Sequence, residues 1–169
     1  MNSTTPKRPG RYSTEVNKKV AEKLLPKFVK WLEDEFVIDN EEIIADLARA
    51  VDTVPDDGYR IARDLERMGW DPDAELVEIL DSAACIRHDV LAAMGVEWVK
   101  QNHLVGPPLE SRVDWSRGPV GGPGRVLKNN PDGTSHVAFP EDGEDGKAPR
   151  VFIAPWEELV LIPDEDARA

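Results

Sequence analysis

The chain holds one cysteine, Cys85, and three histidines among 169 residues. A single thiol excludes an intramolecular disulfide and suits a reducing compartment. Long apolar runs are also missing: no stretch approaches the roughly 20 residues that cross a bilayer. The opening MNSTTPKRPGRYSTE lacks the apolar centre of a signal peptide. The expectation is a cytoplasmic protein with no membrane partner. No second cysteine and no His-Glu-x-x-His spacing accompanies Cys85, so no metal set is expected. The CIRHD segment sets Cys85 and His88 on one helical face, but a zinc site needs two further ligands. Cys85 is read instead as a small buried residue, with His88 at the edge of the core. A nucleophile also needs a base oriented by a third group, and two neighbours on one helix diverge. The loop GPVGGPG loses two donors to Pro119 and Pro123 and lacks the Lys and Ser/Thr of a nucleotide-binding loop. No catalytic residue and no cofactor is therefore expected, and the reading leans away from an enzyme.

Charge is present in quantity and unevenly placed. The net value is −12, yet residues 1–30 carry eight bases and two acids, a balance of +6. Residues 31–104 carry six bases and nineteen acids, and residues 105–169 carry seven and twelve. A basic leading segment thus sits on an acidic body, able to meet an anionic surface although the whole chain repels one at long range. The acids crowd between Asp34 and Asp57, a density that either keeps the protein soluble or imitates a phosphate backbone.

Residues 1–12, rich in Ser, Thr, Pro and Lys/Arg, are read as a flexible basic arm. A helical domain over 13–104 follows, with five or six helices. Val16, Val20, Leu24 and Phe28 recur every fourth residue, and Pro26 is expected to kink or divide their helix. Asp39 and Glu42 form a capping-box pattern. Pro55 and Asp71-Pro72 are read as further helix starts. Tyr59, Ile61, Leu65 and Met68 supply one buried face. A long helix from Leu76 towards Met94 is expected to break or kink at Gly95, leaving a short last helix around Val96, Trp98 and Val99. Residues 105–124 hold four of fourteen prolines and five of twelve glycines, the composition of a linker that overlaps a first strand and loop. Short strands then alternate with turns: SRVDW, GRVLKN joined through NPDG to SHVAF, RVFIA and LVLI, with PWEEL between the last two.

Five short strands with one helical turn before the last resemble an SH3-like β-barrel, here over residues 110–163, with 164–169 as a tail. The fold class is α+β: an N-terminal all-α domain followed by a small barrel. The resemblance implies no particular chemistry. Such barrels occur in translation and transcription factors, in chromatin readers and, beside a helical region, in the β subunit of nitrile hydratases. Trp156 is expected to cover an open end of the barrel.

Three functions remain open at this level. The first is a non-enzymatic cytoplasmic adaptor, regulator or inhibitor that docks on a protein complex, with Trp115 and Trp156 as candidate contacts. The second is a nucleic-acid-associated regulator using Lys19, Lys23, Lys27 and Lys30, with Arg112, Arg117 and Arg125 around the barrel loops. The third, by fold analogy alone, is an enzyme subunit or accessory factor of nitrile-hydratase-like architecture.

Overall fold

The computed structural model describes residues 7–32, 39–52, 57–115, 117–118, 123–139 and 149–163. It divides into a helical unit, Pro9–Met94, and a sheet unit formed by Met1–Arg8 with Gly95–Ala169. Helices precede a five-stranded antiparallel sheet, so the chain is mixed α+β.

The helical elements are α1 (Thr14–Trp31), α2 (Asn40–Ala50), α3 (Gly58–Arg67), α4 (Ala74–Asp81) and α5 (Ala83–Gln101). Four of them start on a side-chain cap, which satisfies amide donors that have no partner inside the helix. Ser13 caps α1 through the Val16 amide, Asp39 caps α2 through the Glu41 amide at 3.0 Å, and Asp57 caps α3 through the Tyr59 amide at 2.9 Å. Asp73 caps α4 through the Leu76 amide at 2.9 Å. That bond, joined by one from the Trp31 indole, holds the Asp73 carboxyl below its ordinary value against the opposing effect of desolvation.

The period-four stripe of α1 is buried as expected: Val16, Val20, Leu24 and Phe28 meet Ile43, Leu47, Ile61, Leu65, Leu76 and Leu80 in one core. Pro26 does not divide α1, which runs unbroken through it. Pro26 is exposed, as is Glu22 one turn earlier, so the carbonyl left without its amide faces solvent. The start expected at Pro55 lies outside the described residues. The one expected at Asp71-Pro72 falls later, because Asp73 supplies the cap. Tyr59 stands off the buried face formed by Gly58, Ile61, Ala62 and Leu65 and is 69% exposed.

The long helix breaks at Ser82 rather than at Gly95. Ser82 donates its hydroxyl to the Ile79 carbonyl at 2.6 Å and closes α4. Gly95 continues α5 and serves proximity instead: a Cβ there would lie 2.7 Å from the Asp132 carbonyl oxygen of the sheet unit's hairpin turn. Gly58 plays the same part between α3 and α4, where a Cβ would come within 2.4 Å of the Val77 carbonyl oxygen.

In the sheet unit, β1 (Arg112–Asp114), β2 (Pro123–Asn129), β3 (Thr134–Phe139), β4 (Arg150–Pro155) and β5 (Val160–Leu161) lie in the order β4-β3-β2-β1-β5, with a 3-10 turn at Trp156–Glu158. The Asn-Pro-Asp-Gly turn joins β2 to β3: Gly133 takes φ +82, and Asp132 accepts from the Thr134 amide at 3.1 Å. The inward residues Val113, Trp115, Val126, Val137, Phe139 and Ala154 form the sheet's core. The interruption in RVFIAPWEELVLIP is the 3-10 turn, as the sequence pattern predicts. The sheet is open: β4 and β5 stand at opposite ends of the order, and no pairing between them joins the described strands into a closed barrel.

Candidate functional site

The candidate lysines all lie on α1. Lys19, Lys23, Lys27 and Lys30 are exposed and spaced four, four and three residues apart, a strip about 16 Å long at the rise of an α-helix. Lys27 donates to the Ser82 hydroxyl at 3.4 Å. A further basic residue of the leading segment, Arg8, is engaged within the sheet unit. Arg8 lies over the Trp98 ring at 5.4 Å, donates to the Asp132 carbonyl and faces Glu157 at 3.9 Å.

The candidate arginines lie on or beside the sheet. The β1–β2 register sets Arg112 directly opposite Arg125, both exposed. Like charges in that position repel, and the contact of Arg125 with Glu110 at 3.4 Å joins two well-exposed side chains. The two arginines border a shallow concavity of about 480 Å³ floored by Pro123, Leu127, Ala138 and Pro149. Ala138 pairs with Arg125 on one side and Val151 on the other, so charge passes into apolar surface along one row of the outer face. Leu127, Val151 and Ile153 are exposed. Arg117 is exposed in the turn after β1, beyond this row.

The candidate tryptophans face inward. Trp115 is 8% exposed in the sheet core, with its indole N–H bonded to Glu158 at 2.8 Å. Trp156 lies against Gly106, where a Cβ would meet its ring at 2.7 Å, and its indole nitrogen is enclosed without a protein partner.

Comparison with family models, with curated proteins and with solved structures returns no match. The chemistry must therefore be read from the residues alone.

One residue passed over in the sequence proves central to the helical unit. Arg87, inside the CIRHD segment, is fully buried. It donates to Asn17 Oδ1 at 2.7 Å, to the Arg11 carbonyl at 2.9 Å and to the carbonyl of Val51, the C-terminal cap of α2. Its guanidinium also covers the Tyr12 ring at 4.6 Å. Asn17 relays the network to Asp52 at 2.9 Å. A buried arginine has this many oxygen partners because leaving its charge unsatisfied costs several kcal/mol. Cys85 and His88, its neighbours, point the other way and are exposed, contrary to the expectation of a buried thiol. Among the described residues, no three His, Cys, Asp or Glu side chains gather as a metal-binding group.

A groove of about 720 Å³ between α1 and α2 is bordered by Asn17, Lys18, Ile44, Ala48, Arg49 and Asp52. It carries charges of both signs and no nucleophile–base pair. Several acids of the dense run have structural tasks: Asp39 and Asp57 are caps, Asp52 receives Asn17, and Asp46 accepts from the Trp70 indole at 2.9 Å. Asp34, Glu35 and Asp56, like the PVGG segment at 119–122, lie outside the described residues. No helix among the described residues is long and apolar enough to cross a membrane.

Proposed function

We propose that the chain is a non-enzymatic adaptor or inhibitor of the cytoplasm that docks on a protein partner through the outer face of its sheet. The observation that carries this reading is the pair Arg112–Arg125, exposed and set opposite each other with only a surface ion pair to Glu110, beside an exposed apolar row. Two adjacent guanidiniums repel each other in the free protein and gain when a partner brings carboxylates between them. The apolar floor adds contact area at the same place. The fitting partner is a protein segment with acidic side chains next to aliphatic ones.

The strand order and the 3-10 turn between β4 and β5 agree with an SH3-like module, and we read the sheet as a partly open barrel of that kind. Modules of this class expose a sheet face and loops for recognition while their inward residues stay committed to packing. Trp115 and Trp156 fit the second role.

A nucleic-acid contact is the second reading, favoured by the exposed lysine strip of α1. It is the weaker of the two, because the aromatic stacking platform of single-strand binders is not found on the outer sheet face among the described residues. Immobilised full-length protein and an Arg112→Glu/Arg125→Glu variant, each mixed with lysate of the native host, separate these readings. Retention of a protein by the parent chain at low salt, lost in the variant while its melting curve is unchanged, is the expected result. Equal retention by both chains, or none by either, overturns the sheet-face reading. A salt-sensitive complex with nucleic acid that disappears when Lys19, Lys23 and Lys27 are neutralised supports the second.

A further inference from the structure

Among the described residues β4 has an open edge, and its internal symmetry identifies an occupant. In an antiparallel ladder, residues alternate between those bonded to the neighbouring strand and those whose N–H and C=O point away. The β3–β4 register runs from Thr134 opposite Pro155 to Phe139 opposite Arg150. Carried one residue further, it brings Trp156 opposite Gly133, and the Trp156 amide does donate to the Gly133 carbonyl at 3.0 Å. That bond sets the alternation for the whole strand. Arg150, Phe152 and Ala154 bond to β3. Val151, Ile153 and Pro155 turn their backbone groups to the free edge.

Pro149, one residue before the strand, shares that alternation. The edge therefore presents amide donors only at Val151 and Ile153, bracketed by two prolines that have none to give. Side chains repeat the pattern, since Val151 is 49% and Ile153 59% exposed. Native edge strands are usually blunted by charge, proline or bulges. Here proline closes both ends and leaves an uncharged opening two residues wide.

We propose that this edge pairs with the same edge of a second copy of the chain, giving a two-fold symmetric dimer with a continuous sheet. With the two-fold axis at Phe152, Val151 lies opposite Ile153 of the second copy, and Ile153 opposite its Val151. Both pairs are of the bonded kind, so two amides and two carbonyls from each copy are satisfied. Pro149 then meets Pro155, where neither side has an amide to leave unpaired. Arg150, the strand's one charged residue, meets Ala154, so no like charges are opposed. The exposed aliphatic side chains of the two copies join on one face. A foreign extended strand has no reason to share the proline spacing, whereas a second copy shares it by identity. Because the contact uses the β4 edge of both chains, it closes at two.

Sedimentation equilibrium of the full chain from micromolar to millimolar concentration tests the proposal. A reversible monomer–dimer equilibrium is expected. Ile153→Pro removes an edge amide without removing a bond to β3, and edge positions tolerate proline. It should give monomer throughout with its melting curve kept. Should that variant unfold, Val151→Lys/Ile153→Lys opposes like charges across the axis on solvent-exposed positions and must also give monomer. A parent chain that stays monomeric throughout, or a dimer that survives the lysine variant, overturns the pairing. The docking reading shares the aliphatic row but is tested separately by Arg112→Glu/Arg125→Glu, which leaves the β4 edge unaltered, so the two failures are distinguishable.

Discussion

Replacing Arg87 by alanine tests the helical unit at its most connected point. The side chain is fully buried and gives hydrogen bonds to Asn17 Oδ1 and to the carbonyls of Arg11 and Val51. Truncation strands these acceptors, removes the cover on Tyr12 and opens a space the size of a long side chain. Breaking one side of a buried charged network costs about 3–5 kcal/mol, and an unsatisfied buried acceptor about 1–3 kcal/mol. These terms overlap, so we expect a loss of about 4 kcal/mol, a large part of the ~5–15 kcal/mol that holds a typical domain. In urea, with a slope of about 1–3 kcal/mol per molar, the midpoint should fall by roughly 2 M. Far-UV circular dichroism follows the helical signal through the transition. Arg87→Lys should recover little, because one ammonium cannot span three oxygens held in different directions. Asn17→Leu combined with Arg87→Met should cost less than the two single changes added together, since the polar partners then leave as a set. A loss under about 1 kcal/mol for Arg87→Ala would refute the claim that this residue ties the N-terminal turn, α1 and the end of α2 together.

Gly58→Ala gains helix propensity worth about 1 kcal/mol yet should lower the melting temperature. Its Cβ would sit 2.4 Å from the Val77 carbonyl oxygen, and forcing α3 from α4 costs about 1–3 kcal/mol; a raised melting temperature contradicts the close approach. The Asp73 carboxyl is held low by the Leu76 amide and then by the Trp31 indole, so its stabilising effect is present above the unfolded-state value and disappears as pH falls through the folded one. Asp73→Asn keeps a capping oxygen but does not titrate. The difference in stability between the two chains should therefore shrink from neutral pH to about pH 3, and a constant difference across that range rules out the capping carboxylate as its source.

Local patterns were readable in the sequence, and contacts between distant segments were not. The spacing Val16, Val20, Leu24, Phe28 and the cap at Asp39 depend on residues within a turn or two, and both appear where the sequence puts them. The strands and the 3-10 turn before the last strand follow equally from short-range alternation and turn residues. Gly95 misled because its role is to admit the Asp132 carbonyl, a neighbour that no local rule supplies. Ser82 was overlooked for the converse reason: serine is unremarkable in a helix until its hydroxyl is seen closing one. Arg87 has no local signal of burial, since its partners come from residues 11, 17 and 51. Of the candidate contacts, only the facing of Arg112 and Arg125 required the register. The alternation in GRVLKN and RVFIA already implied that some of Leu127, Val151 and Ile153 would point outward. Whether the sheet closes depends on pairing between its two outermost strands, and strand patterns carry no information about that.

Arg8 gives the molecule a schedule. Its partners are Trp98, Asp132 and Glu157, so it joins residues synthesised long after it. On a ribosome, which adds residues from the N-terminus at about 5–20 per second, the segment 9–94 can form its core while those partners are still unmade. Arg8 must wait, and its contacts close a loop of more than a hundred residues. The entropic cost of that closure rises only with the logarithm of loop length, so the delay is one of timing more than of energy. A chain stopped before Glu157 would hold Arg8 by fewer partners, so the Arg8–Glu157 contact forms only after the 3-10 turn at Trp156–Glu158 has been made.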